Sequence, residues 1–141
     1  MILLDTDHLS VFLDERDRRH KLLNARLEAA ANEIACTIVS VEELLRGWLA
    51  IIHRLNSVQQ QLPAYERLGR LFDVLSDWEL VPFDRPAADQ FAGLRRQRIR
   101  IGTMDLKIAS IALVHDALLL TSNVRDFALV PNLRCEDWLE P

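Results

Sequence analysis

Glycine and proline are scarce, with 4 and 5 in 141 residues. So little turn and linker chemistry requires short connections, and no Pro/Gly-rich stretch, internal repeat or low-complexity tract divides the chain. One compact domain over residues 1–141 is expected. Cysteine is scarcer still. Cys36 and Cys135 lie far apart inside apolar stretches, which excludes CxxC metal spacing and a secreted disulfide scaffold and reads as two small buried hydrophobes. No apolar run approaches the roughly 20 residues of a membrane span; Ile111 to Val114 and Ala117 to Leu120 are typical. The apolar start Met1 to Leu4 is broken at once by Asp5, leaving no leader pattern, so a cytoplasmic location is expected. His8, His20, His53 and His115 show neither HxxxH nor HExxH spacing, which argues against zinc. Neither GxxxxGK nor a GxGxxG after the first strand is present, which sets nucleotide-binding loops aside.

What is present is the composition of a globular protein: 50% hydrophobic and 27% charged residues. Met1 to Leu4 is a short, wholly apolar run, and similar, mainly apolar runs recur at Ile34 to Val39, Trp78 to Val81 and Ala117 to Leu120, as expected of strands buried on both faces. Between them the apolar residues fall at helical spacing. One set is Leu23, Leu27, Ala30 and Ala31; another is Leu44, Leu45, Trp48, Ile52 and Leu55; a third is Tyr65, Leu68, Phe72 and Leu75. A helix follows Pro86, and one from Met104 to about His115 is apolar nearly all round. Strands alternating with helices imply an α/β fold, a parallel sheet with helices on both faces, whose working residues gather beyond the carboxyl ends of the strands.

Acidic residues collect at those ends. Asp5 directly follows the first strand, in Leu4-Asp5-Thr6-Asp7; Asp7 is read as a helix cap, Asp5 as a carboxylate aimed into the crevice. Glu43, in Ser40-Val41-Glu42-Glu43, follows the second strand. Its spacing from Ser40 is that of a capping box, so cap and site ligand both stay open; Glu42, one helical step away, is read as exposed. Asp105 lies in the first turn of the most apolar helix, where it also suits the helix dipole. The last strand runs into Thr121-Ser122-Asn123, with Asp126 close behind. Oxygen ligands from separate strand ends and helix starts suit a hard cation such as Mg²⁺ or Mn²⁺, and without one the clustered carboxylates repel.

The net charge of −4 is not that of a general nucleic-acid binder, but four arginines crowd together at Arg95, Arg96, Arg98 and Arg100. Their planar guanidinium groups suit phosphate better than the point charge of lysine. A solvated helix end, favoured by its own dipole, is the equal alternative.

These motifs, in this order, resemble a PIN domain: Leu4-Asp5-Thr6-Asp7, then Ser40-Val41-Glu42-Glu43-Leu44 with Gly47, then Asp105 with Ile108-Ala109. The tail, Leu120-Thr121-Ser122-Asn123-Val124-Arg125-Asp126-Phe127 and Leu133-Arg134-Cys135-Glu136-Asp137-Trp138, resembles the VapC toxin branch of bacterial type II toxin–antitoxin systems. The resemblance implies a three-layer α/β/α PIN-like fold with a central, mainly parallel sheet of four to five strands. It implies a Mg²⁺- or Mn²⁺-dependent endoribonuclease that cleaves transfer or ribosomal RNA through metal-activated water. Asp5, Glu43 and Asp105 take the acidic positions. The fourth, often aspartate, falls on Asn123, which keeps an oxygen but removes a charge; Asp126 is a further ligand or a support. Thr6, Thr121 and Ser122 are candidate hydroxyls beside the metal ligands. A homodimer silenced by a cognate antitoxin is implied as well. The helices of Trp48 and of Tyr65 and Phe72 are where an antitoxin surface is sought, although those stripes read as core.

Two other readings stay open. Asp5-Thr6-Asp7 with Leu118 to Thr121 is similar to the motifs of haloacid dehalogenase phosphohydrolases, but Lys107 precedes Thr121, against that family's order, and Glu43 is left without a role. An inactive PIN-like module that binds RNA or protein is the non-enzymatic reading, and Asn123 is what favours it.

Overall fold

A computed structural model describes all residues, Met1–Pro141. Strands β1 (Ile2–Leu4), β2 (Ile34–Thr37), β3 (Glu79–Val81), β4 (Leu118–Leu120) and β5 (Arg134–Glu136) form one sheet in the order β3-β2-β1-β4-β5. Every pairing is parallel, with Leu4 opposite Cys36 on one side and Leu120 on the other. Helices α1 (Thr6–Leu13) and α2 (His20–Ala30) connect β1 to β2, and α3 (Ile38–Arg54) and α4 (Val58–Asp77) connect β2 to β3. Helices α5 (Arg85–Arg96) and α6 (Thr103–Val114) precede β4, and the short α7 (Val124–Phe127) precedes β5.

Side chains alternate along each strand and so feed two cores. Ile2, Leu4, Cys36 and Leu120 pack with Leu9, Leu23, Leu44, Trp48 and Leu71 from α1 to α4. Leu3, Ala35, Val81 and Leu119 pack with Leu94, Leu106, Ile108 and Phe127 from α5, α6 and α7. The three layers expected from the sequence are therefore present. The chain winds outward from β1 through β2 to β3, then crosses back to lay β4 against the other side of β1. Strand order reverses between β1 and β4, so the chain leaves their paired carboxyl ends toward opposite faces of the sheet, into α1 on one and α7 on the other, around a crevice of the kind where open parallel sheets place ligands.

One boundary departs from the sequence reading, and it matters for the site. The apolar run Ile34 to Val39 is not all strand: β2 stops at Thr37, and α3 begins at Ile38. Thr37 is the cap, its hydroxyl oxygen accepting the Ser40 amide at 3.0 Å. The first turn of α3 is buried at Val39, Ser40 and Val41, so it carries the same apolar signature as a buried strand, and periodicity cannot separate the two over so few residues. β5 follows no apolar run; as an edge strand it is exposed at Arg134 and Glu136. No helix is long and apolar enough to cross a membrane.

Candidate metal centre

Asp5 leaves β1 at the crevice and caps α1, its Oδ1 accepting the His8 amide at 3.0 Å. Capping therefore belongs to Asp5; Asp7, read as the cap from sequence, is an exposed residue of the first turn. The cap engages one oxygen only. Asp5 is 6% exposed, and its hydrogen bonds all go to Oδ1.

With α3 starting at Ile38, Glu43 falls in the second turn, where no free backbone amide needs a cap, so the capping-box reading fails. Its carboxylate instead reaches across to α1, accepting the Thr6 hydroxyl at 2.6 Å. Glu42 points elsewhere and pairs with Arg46 at 2.7 Å. Asp105 enters from the first turn of α6, half-buried. Asn123, after β4, bridges Asp105 and Asp126: its Nδ2 donates to Asp126 Oδ2 at 3.0 Å and, more weakly, to Asp105 Oδ2 at 3.4 Å. In this arrangement the amide hydrogens of Asn123 face the carboxylates. To ligate a cation through oxygen, the amide would have to turn over.

The electrostatics show these groups sharing one space. Burial raises the Asp105 carboxyl above its ordinary pKa, Glu43 raises it next, and Asp5 and Asp126 add to it, while the Asn123 hydrogen bond opposes the shift. No lysine or arginine lies within ion-pair distance of Asp5, Glu43, Asp105 or Asp126. Four carboxylates thus gather with no side-chain cation among them. They do not close into a ready-made cage of three ligands. Repulsion favours separation, and the hydrogen bonds to Thr6 and Asn123 hold Glu43, Asp105 and Asp126 where they stand. An all-oxygen donor set of excess negative charge, left unpaired in a partly buried crevice, fits a hard divalent cation.

The other residues singled out by sequence divide. Of the three hydroxyls, Thr6 alone touches a cluster carboxylate. Thr121 is buried and accepts the Asn123 amide at 3.0 Å, fixing the turn after β4, and Ser122 is exposed. Arg95, Arg96, Arg98 and Arg100 are all exposed at the end of α5 and beyond it, none in an ion pair, with the Arg95 guanidinium 5.2 Å from the Phe91 ring centre. Trp48 is core, as read, but Tyr65 (52% exposed) and Phe72 (61%) are not: they lie on the outer face of α4, which turns Leu71 inward. Cys36 is buried, and desolvation raises its thiol to about 12, so it behaves as a small hydrophobe; Cys135 is only half-buried.

His8 escaped the sequence reading except as a histidine without zinc spacing. It is fully buried, with Nδ1 3.3 Å from Asp5 Oδ1 and Nε2 accepting the Trp138 amide at 3.1 Å. That second partner lies 130 residues away, so no local spacing announces it.

The family model for the PIN domain matches residues 2–133. Ribonuclease VapC2 of Rickettsia felis is 29% identical over 119 residues, spanning 82% of this chain and 81% of that protein. The crystal structure of VapBC2 from Rickettsia felis, bound to a DNA fragment from their promoter, superposes with a TM-score of 0.74 at 26% identity, covering 98% of this chain and 99% of that one. FitAcB from Neisseria gonorrhoeae gives a TM-score of 0.77 at 23% identity with both chains fully covered, a likeness of fold. With the family model spanning nearly its whole length, the chain belongs to the PIN-domain family and resembles the VapC proteins within it.

Proposed function

We propose that the protein is a Mg²⁺- or Mn²⁺-dependent endoribonuclease and the toxin of a toxin–antitoxin pair acting in the cytoplasm, with transfer or ribosomal RNA as substrate. The observation that carries this is the gathering of Asp5, Glu43, Asp105 and Asp126, without a basic partner, at the strand-order reversal of a PIN-family sheet. Asp5 and Asp105 would hold the cation, and Glu43 would bind it or orient water. What such a cation supplies is a water of lowered pKa and stabilisation of charge on the leaving oxygen. Thr6 fixes the Glu43 carboxylate, and Asn123 ties Asp105 to Asp126. Purified protein is expected to cleave structured RNA with Mg²⁺ or Mn²⁺, to stop on chelation and to resume when the cation is restored. Binding of the same RNA without cleavage under all these conditions would instead establish the inactive-module reading that Asn123 favours.

RNA lacks a readable groove pattern for such a site, so recognition rests on backbone charge and on splayed single-stranded bases. Arg95, Arg96, Arg98 and Arg100 are proposed as phosphate contacts. Changing all four to Gln should weaken RNA binding and flatten the slope of log affinity against log salt by about 3 if each meets one phosphate of a single strand. An unchanged slope would remove the patch from the interface.

The partner is proposed to be a small antitoxin, as in the VapBC complexes of similar fold, and the protein itself to be a homodimer. Exposed Leu62, Tyr65 and Phe72 on α4, and a groove of about 410 Å³ along α3 lined by Ile38, Val41, Leu45 and Leu49, offer apolar surface for such contacts. Co-expression with the adjacent small reading frame, followed by co-purification, tests it.

A further inference from the structure

The geometry points to His8 as a positioning residue that fixes Asp5 for metal binding and is itself set by the C-terminal segment. The proposal rests on the reading of Asp5 as a metal ligand. His8 is fully buried in the first turn of α1, and each ring nitrogen has a partner. Nε2 lies 3.1 Å from the Trp138 backbone nitrogen, which can only donate, so Nε2 must present its lone pair. The proton of a neutral imidazole then stands on Nδ1, which faces Asp5 Oδ1 at 3.3 Å. Asp137 Oδ1 also approaches Nε2, at 3.4 Å, but it already accepts the Leu139 amide at 2.9 Å and, as an acceptor, cannot bond a lone pair.

Asp5 Oδ1 therefore receives two hydrogen bonds from the same residue, backbone N–H at 3.0 Å and ring Nδ1–H, while Oδ2 receives none. The pair of bonds holds the carboxylate plane and leaves Oδ2 for a cation. The Trp138 amide, at the far end of the chain, selects the tautomer that makes the second bond possible. Hydrogen-bonded partners of this kind, one step behind a metal ligand, typically change affinity when removed.

Two replacements separate the two bonds. The amide of His8→Asn falls where Nδ1 was and keeps a donor to Asp5, but leaves the Trp138 amide without an acceptor. The amide of His8→Gln falls where Nε2 was and keeps the Trp138 bond, but loses Asp5. Mn²⁺ affinity by calorimetry, metal-free melting temperature and the ring ¹⁵N shifts of His8 should be measured together, with Asp5→Asn as reference. We expect His8→Gln to bind Mn²⁺ about 10-fold or more weakly at near-native stability. His8→Asn should melt lower yet bind Mn²⁺ within about threefold of wild type, as expected when the donor to the ligand is kept. The shifts should report hydrogen on Nδ1. A purely structural histidine predicts the reverse, with affinity following stability across the two variants. Wild-type affinity in His8→Gln, or hydrogen on Nε2, overturns the proposal. Undetectable Mn²⁺ binding to wild type, or undiminished binding in Asp5→Asn, instead overturns the reading of Asp5, and the His8 proposal falls with it.

Discussion

Replacing Asp105 with Asn is expected to lower RNA cleavage about 100-fold or more, as the loss of roughly 3 kcal/mol of transition-state stabilisation would, and to make the metal-free protein more heat-stable. The two effects share one cause. Asp105 is half-buried, and its neighbours Glu43, Asp5 and Asp126 carry its own sign of charge, so the folded protein holds its carboxyl above the ordinary value of 3.8. An acid with a raised folded pKa binds its proton more tightly in the folded than in the unfolded state. Stability is then fullest below about pH 3.8 and declines as pH rises through the raised folded value, because the folded state must keep a charge it disfavours. The amide of Asp105→Asn carries no charge at any pH. Its melting temperature should match wild type in acid and exceed it above that window. Saturating Mn²⁺ should raise the melting temperature of wild type more than that of the variant, because only wild type regains a counter-charge. Melting curves from pH 3 to pH 8, with and without Mn²⁺, test this alongside the cleavage rate. A variant less stable than wild type at neutral pH without metal would show that Asp105 serves the helix dipole of α6 more than it suffers from its neighbours.

The fold was readable because its signals are local. Parallel strands advertise themselves as short, mainly apolar runs, and helices on both faces keep their period, so four of five strands and the six longer helices follow from composition and spacing, although β3, expected to be buried on both faces, is an edge strand exposed at Glu79 and Leu80. What escaped was non-local or ambiguous. Ile38 and Val39 prolong the apolar run of β2, and only the Thr37 cap reveals that the chain has already turned into α3. That shift removes the cap reading of Glu43, which had stayed open beside the site reading, and leaves a side chain bonded to Thr6 across the crevice. Tyr65 and Phe72 obey the helical period of α4, but period alone does not say which stripe faces inward, and here Leu71 occupies the core. Asp5, Asp105 and Asp126 were legible because strand ends and helix starts are where carboxylates converge in a parallel α/β sheet. The Asn123 bridge could be placed there but not oriented, since a sequence does not say which end of an amide faces a carboxylate. His8 and Trp138 are joined only by tertiary folding.

Phe127→Ala should cost about 3 to 5 kcal/mol of stability and weaken Mn²⁺ binding about 10-fold, the lower end of what loss of support behind a ligand costs. The ring is fully buried among Leu106, Ile108 and Leu119, and its removal opens a cavity between α6 and β4. The second effect follows from where the ring is attached. α7 is a single turn of four residues, too short to be stable alone, so burial of Phe127 is what pins it to the sheet. Asp126 precedes Phe127 and Asn123 caps the same turn, so the bridge from Asn123 to Asp105 and Asp126 depends on an aromatic ring that never faces the crevice. Denaturant titration gives the first quantity and calorimetry the second. Phe127→Leu, which refills most of the volume, should recover metal affinity before it recovers full stability. If Phe127→Ala unfolds more easily but binds Mn²⁺ as wild type does, then the turn holds its shape without its anchor, and the Asn123 bridge is maintained by the carboxylates rather than by the core.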